Sequence, residues 1–124
     1  MLDKFSTYTK SLFSFFSELG YPVFLTNQVQ DNAKLPYITI DYTSNSLFET
    51  NLISGRIWDK STSRKTVNSI SDKLDEKVGY GIKVKVGDYG NMVVRKGSPF
   101  IQPIADDDPT IQVNYFNLEV QLFI

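Results

Sequence analysis

The chain has 124 residues, 41% of them hydrophobic, with 13 Lys and Arg against 14 Asp and Glu, and it contains neither His nor Cys. That length suits one domain able to bury about two-thirds of its unfolded surface without disulfide or metal. The two absences remove the Ser-His-Asp triad, imidazole acid–base chemistry, the thiolate nucleophile and the usual N/S zinc sites, and a net charge of −1 argues against a general nucleic-acid binder.

The first twenty residues, MLDKFSTYTKSLFSFFSELG, are interrupted by Asp3, Lys4, Lys10 and Glu18. No basic segment precedes an unbroken apolar core, so they do not form a signal peptide. No run approaches the ~18 apolar residues of a membrane span, and a soluble protein acting where it is made is expected. The spacing instead predicts an amphipathic helix. Phe5, Tyr8, Leu12, Phe16 and Leu19 share one face, Asp3 caps the start, and Gly20 with Pro22 supplies the stop. Phe13 and Phe15 lie off that stripe, which widens the apolar arc. Either the helix is wedged into a broad sheet, or part of the face meets another subunit.

Val23 to Thr26 is a short strand candidate, followed by a polar stretch without period. Residues 37–43 alternate Ile38, Ile40 and Tyr42 with Tyr37, Thr39, Asp41 and Thr43, the period of a strand. Residues 50–58 form a second strand, and the two are read as a hairpin. Gly55 in the middle of the second predicts a bulge or a close backbone approach. From Ser61 to Val78 the apolar positions Val67, Ile70, Leu74 and Val78 mark a second helix, capped by Ser61 or Ser63 and ended by Gly79. Arg64 and Lys65 in its first turn have the wrong sign for the helix dipole, at a cost of a few tenths of a kcal/mol where solvent screens them. They are a solvated pair or a basic pair kept for a partner.

Residues 81–97 read as another hairpin. Ile82, Val84 and Val86 face one way, Lys83 and Lys85 the other, and Gly87 to Gly90 make the turn. A proline-containing connection, 98–109, leads to a long last strand, 110–123. There Ile111, Val113 and Tyr115 have one parity and Phe116, Leu118, Val120 and Leu122 the other. That switch predicts a β-bulge or sharp twist near Tyr115–Phe116, or two halves that cover different surfaces. The order of elements defines a single α+β domain spanning residues 1–124, with a mainly antiparallel sheet and two helices packed on one face.

Candidate chemistry is sparse. Asp106-Asp107-Asp108-Pro109 offers oxygen ligands for Ca²⁺ or Mg²⁺, but adjacent carboxylates rarely converge on one ion, and a solvated turn is the better reading. The glycines at 79–81 and 87–90 flank strands and lack a phosphate-loop ending. No metal, cofactor or catalytic residue is assigned, and the chain is read as a non-enzyme. Trp58, next to Asp59 and Lys60, is core packing or an interface anchor. Charge is more informative: residues 1–55 carry −2, 56–96 carry +5 and 97–124 carry −4. Neutralisation within one chain and pairing between copies are equally open, and unlike patches meeting head to tail generate rings when the rotation closes.

Two stretches carry a resemblance. LPYITIDYTSNSLFETNLISGRIWDKSTSRKTVNSISDKL has the layout strand, turn, strand ending in Ile-Trp-Asp, Ser/Thr cap, amphipathic helix. VRKGSPFIQPIADDDPTIQVNYFNLEVQLF has a Gly-x-Pro-Phe-Ile-Gln-Pro loop, an acidic Asp-Pro turn and a long final strand. Together, over residues 35–124, they resemble the tail terminator (tail completion, or tail-to-head joining) proteins of long non-contractile-tailed bacteriophages. The resemblance implies an α+β virion structural protein without catalytic residues. Such a protein forms a homo-oligomeric ring, usually a hexamer, that caps the tail tube, ends its polymerisation and offers a surface for head attachment. Its partners would be its own copies, the tail tube protein and a head connector or stopper protein, with DNA only as passing cargo and no membrane. It would reside at the tail–head junction of the virion, and in the host cytoplasm during assembly. The candidate interface residues are Phe48, Trp58, Arg64, Lys65, Phe100, Asp106, Asp107 and Asp108, with Pro99–Pro109 and Asn45–Phe48 as contact loops. Another neck component, such as a head-completion or stopper protein, is the nearest alternative, and a nucleic-acid-binding module using residues 56–96 a more distant one.

Overall fold

The computed structural model describes residues 3–43 and 50–124. Among the described residues two α-helices, α1 (Lys4–Ser17) and α2 (Lys65–Val78), accompany six strands: β1 (Val23–Leu25), β2 (Tyr37–Thr43), β3 (Thr50–Lys60), β4 (Ile82–Val86), β5 (Gly90–Ile104) and β6 (Ile111–Phe123). The strands form one sheet in the order β1-β2-β3-β6-β5-β4. Every pairing is antiparallel except β1 with β2. The protein is an α+β domain, as the order of predicted elements implies.

Alternation fixes which side of the sheet is buried. On β3, Ile53 and Ile57 are fully buried, and on β6 their neighbours Phe116, Leu118 and Val120 are too. Both helices close over this face and share one core with it. On α2, the buried Val67, Ile70, Leu74 and Val78 are the predicted stripe. On α1 the stripe is rotated: Tyr8, Leu12, Phe15 and Phe16 are buried, with Leu19 just beyond the helix, whereas Phe5, expected inside, is 53% exposed. Phe15 belongs to the core because α1 lies across the sheet and meets β4 with that flank. Its ring stands edge-on to Phe16 at 5.1 Å.

The caps follow sequence logic with one adjustment. The Asp3 carboxylate accepts a bond from the Ser6 amide at 2.7 Å, capping α1. At α2 the cap position is Arg64. Ser63 instead accepts from the Lys65 amide at 3.2 Å and Ser61 from the Ser63 amide at 3.0 Å, so the two serines build the approach rather than the cap itself.

Gly55 marks a close approach, not a bulge. Its register with Ile40 and Phe116 is unbroken, and a Cβ there would lie 2.5 Å from the Phe116 Cζ. The Phe116 ring occupies the space over the glycine, and the Phe16 ring packs on it at 5.5 Å. A missing side chain on β3 thus seats the first helix on the centre of the sheet.

The expected bulge near Tyr115–Phe116 is not in β6, which pairs with β3 without interruption from Ile111 to Gln121. The irregularity lies in the neighbouring β5. Lys96 pairs with Leu118 and the next paired residue, Ile101, with Phe116, so four residues of β5 stand against Asn117. The segment 98–104, read as a connection because of its prolines, is therefore strand. Pro99 sits in the irregularity, where no ladder donor is required, and pairing resumes from Ile101 to Ile104. The parity switch along β6 follows the alternative expectation, two halves that cover different surfaces: Val113 is buried beside Trp58 on the face that carries no helix.

Candidate assembly surfaces

The helix-free face of the sheet is defined by the residues opposite the core set. Near β1 it carries a row of aromatic rings. Phe24 stands edge-on to Tyr37 at 5.6 Å, and Tyr37 lies 6.4 Å from Trp58. The Trp58 indole donates to the Thr39 hydroxyl at 2.9 Å, which satisfies its only side-chain polar atom and ties the ring to β2. Trp58 is half-buried, packed on its own sheet with part of the ring facing outward. Further along, Arg56 lies over the Tyr115 ring, Leu52 is 65% exposed, and Phe123 at the end of β6 is 54% exposed.

At the end of the sheet where β5 passes to β6, the acidic loop forms a built turn. Asp106 accepts from the Asp108 amide at 2.9 Å, and Asp108 accepts from the Thr110 amide at 2.8 Å and its hydroxyl at 2.7 Å. These Thr110 bonds, with a smaller contribution from the Lys60 charge, hold the Asp108 carboxyl below its ordinary range. Two of the three carboxylates are therefore spent on the turn, and all three residues remain exposed. Among the described residues no three acidic groups converge to hold a metal ion. Asp106 and Asp108 line a shallow pocket of about 330 Å³ together with Ile104, Pro109 and Arg64.

Arg64 itself is turned inward. Its guanidinium donates to the Gln112 side chain at 3.1 Å, to the Val113 carbonyl at 2.9 Å and to the Asn114 amide oxygen. The Asn114 nitrogen in turn donates to Asn68 at 3.1 Å and Ser71 at 2.8 Å. The charge with the wrong sign for the helix dipole is compensated by three acceptors on β6, so Arg64 fastens α2 to the sheet. Lys65 beside it is exposed. Phe100 is half-buried in the β5 irregularity, with the Lys96 ammonium 5.1 Å from its ring centre. Phe48 and the Asn45–Phe48 loop lie outside the described residues. The structure thus groups Arg64 with Asp106 and Asp108 at one end of the sheet, sets Trp58 and Phe100 on separate surfaces, and leaves Lys65 beside the acidic end.

A larger feature was not singled out from sequence. Between α1 and the edge strand β4 runs a groove of about 730 Å³. Its apolar floor is Phe15, Ile82 and Val84, and it carries four lysines, Lys10, Lys77, Lys83 and Lys85, against the carboxylates Glu18 and Asp88. Lys77 is engaged, bonding Glu18 at 2.7 Å and the Phe15 carbonyl at 2.5 Å. Lys10, Lys83 and Lys85 have no ion pair among the described residues. The Ile-Lys-Val-Lys-Val alternation is readable as one strand in the sequence. Its edge position, and α1 lying alongside, depend on pairings that connect distant parts of the chain.

Compared with known proteins, the chain matches no family model and no curated protein sequence.

Proposed function

We propose that this protein is a virion structural protein of the tail terminator class, a ring-forming subunit that caps a phage tail tube and presents a surface for head attachment. The reading rests on the resemblance over residues 35–124. The observation that carries it is the sidedness of the sheet. Both helices cover one face, and the other offers the Phe24, Tyr37 and Trp58 rings, Leu52 and Phe123 to a partner. A ring subunit needs several unlike contact surfaces and no reacting groups, and the acidic end and the lysine-bearing groove supply two more. The stretches that carry the resemblance fold into adjoining central strands, β2-β3 and β5-β6, with α2 fastened on them, so they form one structural unit.

Binding order tests the proposal. Purified chain mixed with tail tubes in the absence of heads should sediment with the tubes and appear at one end by electron microscopy. It should also stop further addition of tube subunits. Association with DNA-filled heads alone would identify a different neck component, and a gel shift at physiological salt would favour the nucleic-acid-binding reading.

A further inference from the structure

The α1–β4 groove lies on the open edge of the sheet, since β4 is the last strand in the order. An edge strand exposes unpaired backbone groups and is normally guarded by charge. Here the guard is mainly basic: Glu18 is paired with Lys77, which leaves Asp88 against Lys10, Lys83 and Lys85. Lys83 and Lys85 register with Val93 and Asn91, on the helix-free side of the strand, and Lys10 stands across the groove on α1. A segment lying over this edge would meet ammonium groups on both flanks and Ile82 and Val84 beneath.

We infer that the groove seats the Ile104–Pro109 loop of a second copy of this chain, with Asp106 and Asp107 facing Lys10, Lys83 and Lys85. Three observations choose this occupant. The loop holds the only run of three carboxylates in the chain, and residues 97–124 contain no Lys or Arg. Lys60 acts on Asp108 without forming an ion pair, and Arg64, which lines the same pocket, is engaged by β6 acceptors, so Asp107 has no partner among the described residues. Distance then excludes contact within one molecule. The loop joins the strands at Ile104 and Val113, whereas β4 lies alongside β5 residues that pair with Val120–Phe123. Seven to ten residues of strand, roughly 23–33 Å, separate the two sites, beyond a Debye length of ~8 Å. The charges can meet only between copies. Two different patches then make a head-to-tail contact, the type that closes into rings. The inference deepens the ring reading above and rests on it for the expectation that copies associate.

The absence of cysteine makes the contact directly testable. Lys83→Cys and Asp107→Cys chains, mixed and mildly oxidised, should yield a disulfide-linked heterodimer at least tenfold above an Asp107→Cys and Tyr80→Cys mixture, Tyr80 being fully exposed. A chain carrying both Lys83→Cys and Asp107→Cys should give a ladder or a closed ring. Lys83→Glu with Lys85→Glu should lower self-association at least tenfold by light scattering, and Asp107→Lys in the other partner, which leaves the Asp106 and Asp108 turn bonds intact, should restore part of it. A yield of the 83–107 pair equal to the control, at any concentration, overturns the inference, as does failure of the charge exchange to rescue. No tail tubes enter these measurements. Loss of tube capping with the 83–107 link intact would count against the function alone, and retained capping without the link against this contact alone.

Discussion

The two helices share one face of the sheet yet are held in different ways. Helix α2 has an apolar stripe and, at its start, a polar network with every partner in place: Arg64 on Gln112, Val113 and Asn114, and Asn114 on Asn68 and Ser71. Such a network admits one register of the helix over β6, because any slip leaves buried donors and acceptors unpaired. Helix α1 rests on aromatic packing, Phe15 and Phe16 over Phe116, and is tied at its end by Lys77 to the Phe15 carbonyl and Glu18. Apolar contacts are less directional. The flank of α1 over the edge strand is open as a groove, whereas the start of α2 is fastened to β6. One half of the molecule is built to be fixed and the other retains a surface to offer.

The largest expected effect falls where the halves meet. Phe116→Ala removes the ring that fills the space above Gly55 and supports Phe16, and should cost about 3–5 kcal/mol in urea unfolding. Because both helices share this core, the transition should remain single. Two separated transitions, with α1 lost first, would mean that α1 is an independent element. Next, Asn114→Ala leaves Arg64, Asn68 and Ser71 each short of a partner, and a loss of about 2 kcal/mol is expected. A loss below about 0.5 kcal/mol would make the two helix seats equivalent and remove the contrast. Smaller again is Lys77→Ala. Its partner Glu18 has a side chain 70% exposed, so the ion pair contributes little, and a change of about 1 kcal/mol or less should come mainly from the Phe15 carbonyl and ring.

The sequence and the structure agree where information is local. The α2 stripe, the Asp3 cap, the hairpin at 82–95 and the alternation at 37–43 are each set by neighbours within a few residues, and each is readable from periodicity. The disagreements involve distant partners. Phe15 displaces Phe5 from the core because β4, far along the chain, lies under that flank. For the parity switch of β6 the sequence leaves open a bulge or twist near Tyr115–Phe116 and two halves covering different surfaces; β6 is regular against β3, Val113 is buried opposite Trp58 on the helix-free face, and β5 carries the irregularity. Arg64, a candidate partner contact, is engaged by β6 acceptors that follow it by about fifty residues. The groove was invisible for the same reason: strand order decides which strand is the edge, and no local pattern encodes that order.

The smallest expected effect concerns pH, and it separates the α1 end from the rest of the fold. The Ser6 amide, and then its hydroxyl, hold the Asp3 carboxyl below its ordinary value of 3.8. A carboxyl whose folded pKa is depressed binds fewer protons folded than unfolded. Its contribution is therefore fully present above about pH 4 and is lost as pH falls through the lowered folded value. Asp108 behaves alike through Thr110, so wild-type acid sensitivity alone cannot distinguish the two ends. Asp3→Asn can, since an amide oxygen still accepts from Ser6 but does not titrate. This variant should match wild type at neutral pH and lose less stability than wild type between pH 5 and 3 in thermal melts. Hydrogen exchange in the first turn of α1 should show the same difference, with the α2 amides unmoved. If the α2 amides change as much, the cap is coupled through the whole core, and α1 is as firmly fixed as its neighbour.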